Sequence, residues 1–220
     1  MTSRPASGGG RWVEVGPARV ARWVGNFADR HGPPTTTPHA YGLLLAAPDG
    51  ATAELHTPPG VPAAADLAGF VAAVDAPRRL GLLLARKGAV AVGIAVGDEL
   101  EVSKVDTRYV QGRTAAGGWS QQRFARRRDN QAKAALGDAV ELAARLLLPA
   151  AATLDALVCG GDRRAVDTVL AERRLAPLAA RRHERLLDVP EPRHAVLVGA
   201  VAAARAVHVL VRDPERDAAG

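Results

Sequence analysis

Apolar and polar positions alternate along much of this chain at spacings that assign its elements. Arg11 to Val15 reads as a short strand, and Pro17 suits the first turn of the helix that follows. That helix runs to about Asp29, with Val20, Trp23, Val24 and Phe27 on one face. His31 to His39 carries three prolines and three threonines and reads as a loop. Tyr41 to Ala47 and Ala51 to His56 flank Pro48-Asp49-Gly50, which predicts a hairpin. Pro58-Pro59-Gly60 breaks the chain before a helix over Ala63 to Val74. Three apolar runs follow, Leu80 to Ala85, Val90 to Val96 and Leu100 to Val105. The turn residues between them predict an antiparallel meander. Thr107 to Gly118 reads as a loop and Ser120 to Leu148 as the longest helix, ended by Pro149.

The last third alternates strand and helix. Leu154 to Cys159 is predicted as a buried strand, and Asp162 caps a helix to about Arg174. His183 to Val189 is a short strand, Pro192 opens a helix to about Ala204, and Ala206 to Val211 is the final strand. This alternation predicts α/β layering on the same sheet, with no internal repeat and no domain break. Residues 1–10 are Ser/Gly-rich and predicted to be a disordered tail; residues 213–220 are a polar tail.

The long helix has two faces. At 100° per residue, Phe124, Gln131, Ala132, Ala135, Leu136, Ala139, Leu142, Ala143 and Leu146 share one arc. Arg123, Arg126, Arg127, Asn130 and Lys133 share the opposite arc. Arg128 falls in the apolar arc, so the first turns are expected to project beyond the core. Only Arg126 among these arginines has an acid three or four residues on, Asp129, so an ordinary ion-paired helix face does not account for the group.

Composition narrows the class. Hydrophobic residues make up 48% and aromatics only 4%, so the core must be aliphatic. The net charge of +6 suits a polyanionic partner, although arginine enrichment from a GC-rich genome would raise it too. The charge is clustered: Arg113, Arg123, Arg126, Arg127, Arg128 and Lys133 stand with one acid, Asp129, between Gly112 and Lys133. The single cysteine, Cys159, makes no intrachain disulfide, which fits a reducing cytoplasm. It reads as a small buried hydrophobe rather than a nucleophile. The first ten residues lack a signal peptide's apolar core, and no run approaches the ~20 apolar residues of a membrane span. The histidines show no metal-ligand spacing, and no Gly-x-Ser-x-Gly elbow is present.

The chemistry concentrates in Gly112 to Asn130. Glycines allow close backbone approach, a helix N-terminus offers N–H groups, and guanidinium groups grip phosphate. The segment resembles the Gly-Gly-Gln loop and following helix in the middle domain of eukaryotic and archaeal class-1 translation release factors. Arg123-Phe124-Ala125-Arg126 repeats that helix's Arg-Phe-Ala-Arg piece. Without gaps, Gly117 and Gly118 fall on the two family glycines and Trp119 on the glutamine's place. The match is closer to the Vms-like release factors (the VLRF group) and their actinobacterial relatives, whose loop is a Gly-x-x-Gln variant. Gly118-Trp119-Ser120-Gln121 fits that variant, which carries the catalytic glutamine onto Gln121, with Gln122 as its rival.

The resemblance implies an α+β fold: a mixed β-sheet flanked by helices, similar to the release-factor middle domain, with RNase H-like layering. A long helix would follow the catalytic loop, and a single domain would cover residues 11–212. By order of elements the resemblance covers most of the chain, but only Gly112 to Gln131 matches as a motif. The implied activity is codon-independent peptidyl-tRNA hydrolysis on stalled ribosomal complexes, by a cytoplasmic monomer without cofactor. Its implied partners are large-subunit rRNA and peptidyl-tRNA. Gln121 or Gln122 would orient water, and Gly117 and Gly118 would let the loop enter the peptidyl-transferase centre. Arg113, Arg123, Arg126, Arg127, Arg128 and Lys133 would hold phosphates, and Trp119 would stack on a base or pack on the domain. Two alternatives share the motif: a tRNA acceptor-end nuclease, and a non-catalytic RNA-binding domain like the Pelota-type middle domain, which lacks the glutamine.

Overall fold

The structure is a computed structural model and describes residues 3–86, 88–107 and 136–214. The chain, read from its pattern as one domain, divides into two compact units, Met1–Pro77 with Ala202–Gly220 and Arg78–Val201. The α+β class holds, but with two sheets where a single one was expected.

The first unit is built on a six-stranded antiparallel sheet. Its strands are β1 (Ser3–Pro5), β2 (Arg11–Val15), β3 (Thr35–His39), β4 (Gly42–Ala46), β5 (Thr52–His56) and the late strand β11 (Val207–Arg212), in the order β1-β2-β11-β5-β4-β3. Helices α1 (Val20–His31) and α2 (Leu67–Asp75) bury their apolar faces against one side of it. Val20, Val24 and Phe27 of α1 meet Val13, Leu43, Leu55 and Val209, as a stripe at three- and four-residue spacing requires.

Three segments differ from the sequence reading. Ser3–Pro5, expected in a disordered tail, pairs with β2 through Ser3 opposite Val13 and Pro5 opposite Arg11. All three residues are exposed, so no apolar signal marks a strand that backbone pairing alone defines. Thr35–His39, expected as loop, is an edge strand on β4. Pro38 is tolerated there because the outer side of an edge strand needs no donor. The final strand leaves the expected common sheet and lies between β2 and β5.

The second unit holds a five-stranded mixed sheet. Its strands are β6 (Arg79–Arg86), β7 (Ala89–Val96), β8 (Glu99–Thr107), β9 (Ala156–Gly161) and β10 (Arg182–Leu187), in the order β10-β9-β6-β7-β8. The meander β6–β7–β8 is antiparallel, whereas β9 runs parallel to β6 and β10 parallel to β9. Counted along the chain, the order is third, second, first, fourth, fifth, the RNase H-like arrangement. Residues from Leu80 to Ala85 and from Ala89 to Ala95 are all buried, which accounts for their unbroken apolar runs.

Helices cover both faces of this sheet. α3, described over residues 136–146, and α4 (Arg163–Leu170) pack on the face bearing Leu83, Val92, Ile94 and Cys159. α6 (His194–Arg205) brings Leu197 towards Gly93 on the opposite face. The expected helix from Asp162 to Arg174 ends at Leu170; a 3-10 turn (Arg173–Leu175) and α5 (Ala176–Ala179) follow. None of the described helices is long and apolar enough to cross a membrane.

One side-chain hydrogen bond ties the end of α1 to the β4–β5 hairpin. Buried His31 places Nδ1 2.8 Å from an Asp49 carboxylate oxygen, and the Ala51 N–H donates to the other oxygen at 2.9 Å. The Ala51 N–H and the His31 ring hold the Asp49 carboxyl below its ordinary 3.8. A carboxyl depressed by folding stabilises the fold above its unfolded value and loses that contribution as pH falls through its folded value. The Asp49→Asn variant should therefore be less stable than the wild type at neutral pH. Urea denaturation at pH values on either side of 3.8 should show the gap closing on the acid side.

Candidate functional site

Register places four strand ends together. β6, β9 and β10 run in one direction, and β8 shares it because both β6 and β8 are antiparallel to β7. Ala85 stands opposite Gly161, Leu187 opposite Gly160, and Thr107 opposite Ala89 at the β6–β7 turn. Thr107, Arg86, Gly161 and Leu187 thus lie along one edge of the sheet, at the carboxyl ends of its parallel strands. This is the edge where α/β sheets place their ligands.

The described chain stops at Thr107 on this edge and resumes in α3 at residue 136. α3 is followed by a 3-10 helix (Leu148–Thr153), and β9 then starts opposite Leu80, at the other edge. α3 therefore runs from the ligand edge to the far edge, about 16 Å for its described turns. Ala139, Leu142, Ala143 and Leu147 are buried in its contact with β6, β7, β9 and α4, and Leu136 and Leu146 are partly buried against the same cluster. The described part of the apolar arc drawn from sequence thus faces the core. Burial of Leu142 and Leu147 contributes about 1.5–3 kcal/mol each to holding α3 in place. On the outer side, Glu141 pairs with Arg174. Pro149, expected to end the long helix, instead sits in the first turn of the 3-10 helix, after the α-helix has ended at residue 146.

All of the residues assigned to the site from sequence lie outside the described residues. These are Arg113, Gly117, Gly118, Trp119, Gln121, Gln122, Arg123, Arg126, Arg127, Arg128 and Lys133.

Sequence reasoning passed over the rest of the edge. Gly161 has φ +93°, and a Cβ there would stand 2.3 Å from the Ala85 carbonyl oxygen, so only glycine fits this turn. The turn lets the Asp162 N–H donate to that carbonyl, while the Asp162 carboxylate accepts from the N–H groups of Arg164 and Ala165. α4 thereby starts at the edge with Arg163 and Arg164 in its first turn, both exposed and without an ion pair among the described residues. Cations oppose the helix dipole there, at about 0.3–1 kcal/mol each. Arg86 stands at the same edge, its Nη2 3.5 Å from a carboxylate oxygen of Asp188. Folding gains nothing from two unmatched arginines in that turn, but a bound polyanion would. The signal was present in sequence as Asp162-Arg163-Arg164 behind Gly160-Gly161, where only the cap was read.

Other reactive groups nearby are quiet. Cys159 lies in the core one residue before the glycines, and burial pushes its thiol up to about 12. Burial first, then the Arg185 charge, holds His183 below its ordinary value, and its Nδ1 accepts from the Arg185 N–H. Among the described residues, no three His, Cys, Asp or Glu side chains form a metal-binding group.

Comparison with known proteins covers this unit and runs beyond it. The family model described as acVLRF1, Actinobacteria/chloroflexi VLRF1 release factor, matches residues 78–210, well over half of the chain. No curated protein matches. The crystal structure of archaeal translation termination factor aRF1 is similar at 20% identity and TM-score 0.43, over 57% of this chain and 34% of that one. A structure titled "Archaeal protein" is similar at 16% identity and TM-score 0.41, over 73% of this chain and 51% of that one. The chain thus spans less than two thirds of either.

With its pKa near 12, Cys159 is a neutral thiol at neutral pH and has no path to solvent. The native protein should show no reaction with a thiol-specific disulfide reagent at pH 8 on the minutes scale, and one equivalent on unfolding in guanidinium. Rapid native labelling would contradict the packing of β9.

Proposed function

Because the chain belongs to the Actinobacteria/chloroflexi VLRF1 release factor family, we propose that it hydrolyses peptidyl-tRNA on stalled ribosomal complexes without reading a codon. The observation that carries this is the family match over residues 78–210, which spans the glutamine-bearing loop and both of its anchors, β8 and α3. The cations of the ligand edge support it. Arg86, Arg163 and Arg164 add to the basic residues between Arg113 and Lys133, as binding to rRNA or tRNA phosphates requires.

The proposed chemistry needs little proton-transfer power. Water attacks the ester carbonyl carbon that joins the peptide to the terminal ribose. The acyl carbon–oxygen bond to the ribose then breaks, the ribose oxygen takes up a proton, and the peptide leaves as its carboxylate. The Gln121 or Gln122 amide orients that water without titrating, and a loop N–H stabilises charge developing on oxygen. Gly117 and Gly118 keep the loop narrow enough for an rRNA-lined channel. Holding water and ester in register supplies most of the acceleration. The ribosome is the partner in this reading, and the protein acts as a monomer in the cytoplasm without cofactor.

One observation favours a second reading. Trp119 occupies the ungapped glutamine position, which suits a domain that binds RNA and leaves the ester intact.

The two readings separate in a release assay on stalled 50S and 70S particles carrying labelled peptidyl-tRNA. Gln121→Ala should lower the release rate by about a hundredfold or more, with Gln122→Ala nearer to wild type. The released tRNA should keep an intact CCA end; a shortened end would mean nuclease action. Undiminished release by the double variant would sink the mechanism. No release by the wild type, with strong salt-dependent RNA binding, would favour the second reading. Arg163→Ala with Arg164→Ala should weaken particle binding and flatten its salt dependence, without a matching loss in single-turnover rate.

A further inference from the structure

The sheet of the first unit buries one face under α1 and α2, and none of its outward side chains belongs to that core. Register defines what the outward face carries. His39 stands opposite Gly42, Gly42 opposite His56, His56 opposite His208, and His208 opposite Glu14, a single line across β3, β4, β5, β11 and β2. Trp12 lies one step along β2 on the same face, opposite Arg4 on one side and Leu210 on the other.

The rings on this line touch. Tyr41 stacks on His56 with centroids 4.9 Å apart and planes 14° off parallel. Trp12 meets His56 edge-on at 4.9 Å, and His39 lies 5.8 Å from Tyr41. Gly42 fixes the arrangement: at φ +150° a Cβ would stand 2.1 Å from the Leu55 carbonyl oxygen. The Thr57 N–H donates to the Tyr41 carbonyl across the same turn. The phenol is thereby held over the imidazole while 54% of Tyr41 remains exposed.

From this row we infer that the outward face of the first unit binds single-stranded RNA by stacking bases on Tyr41 and Trp12, with His56 bracing both rings. Unstacked bases have flat faces that stack on such rings without regard to sequence, and sheet platforms suit them because strands space the rings regularly. The charge pattern favours a polyanion over an acid-seeking surface. Of the two outward acids, Glu54 pairs with Arg212, and Glu14 lies 3.7 Å from His208. Arg4 beside Trp12 is exposed and has no ion pair among the described residues, so it can take a phosphate. The face is poor in the aliphatic bulk that a protein partner would bury: Leu210 is already 7% exposed, and Leu44 is half-buried. This surface lies on a different unit from the glutamine loop, and the inference does not require ester hydrolysis.

The test uses the full chain and two labelled RNAs, a U-rich single strand and a closed hairpin duplex, followed by fluorescence anisotropy. Tyr41→Ala and Trp12→Ala should each weaken binding of the single strand at least about fivefold and leave duplex binding unchanged, because a duplex offers no free base faces. Tyr41→Phe should keep wild-type affinity. Tyr41 is exposed and its backbone bond survives substitution, so Tyr41→Ala reports on stacking even if Trp12→Ala perturbs the sheet. Undiminished single-strand affinity in Tyr41→Ala, or an equal loss for both RNAs, would overturn the inference. Loss of ribosome association with oligonucleotide affinity unchanged would also overturn it and assign the face to a protein. The Gln121→Ala, Gln122→Ala variant should bind the single strand normally, which separates this surface from the proposed hydrolysis.

Discussion

The contact of α3 with the second sheet is the constraint on which the functional reading depends. Ala139, Leu142 and Ala143 form a stripe on one side of this helix, Leu147 extends it just past the helix end, and the β6–β7–β9 face receives it. The stripe fixes where the chain comes back after the glutamine segment. Pairing of β8 with β7 fixes where it departs. Both anchor points belong to the edge that carries Arg86, Gly161 and the first turn of α4. Under the proposed hydrolysis, such anchoring supplies the rigid support that positional catalysis demands.

The parts of this protein that could be read from sequence are those where burial writes a period. The continuous apolar runs of β6 and β7 and the stripes of α1 and α3 were visible because each buries its side chains against a neighbour. Ser3–Pro5 and Thr35–His39 were not, because edge strands are defined by backbone pairing and leave no hydrophobic imprint. The separation into two sheets was equally hidden. Val207 to Val211 looks the same whether it joins one sheet or the other, and local pattern does not encode partners two hundred residues away. The loop motif was legible as residue types, whereas Arg163 and Arg164 were passed over because capping explained their neighbour Asp162.

Electrostatics divides the two units by role. Basic side chains gather at the ligand edge of the second sheet even where the α4 dipole opposes them, a small folding cost of the kind that functional sites carry. The first unit pairs Arg212 with Glu54 and Arg11 with Asp213, and keeps Arg4 exposed without an ion pair among the described residues. Beside Arg4 its outward face carries a set of rings.

The place of β11 has a consequence for how the chain is made. This strand fills the gap between β2 and β5, and its inward residues Val207, Val209 and Val211 complete the core of the first unit. During synthesis residues 1–77 emerge first, yet their sheet stays split until Val207–Arg212 has left the exit tunnel. Arg78–Val201, although later in the chain, contains all five strands of its own sheet and can close sooner. The first sheet therefore cannot close before β11 is available, and a truncated chain lacking β11 would expose two unsealed sheet edges to aggregation.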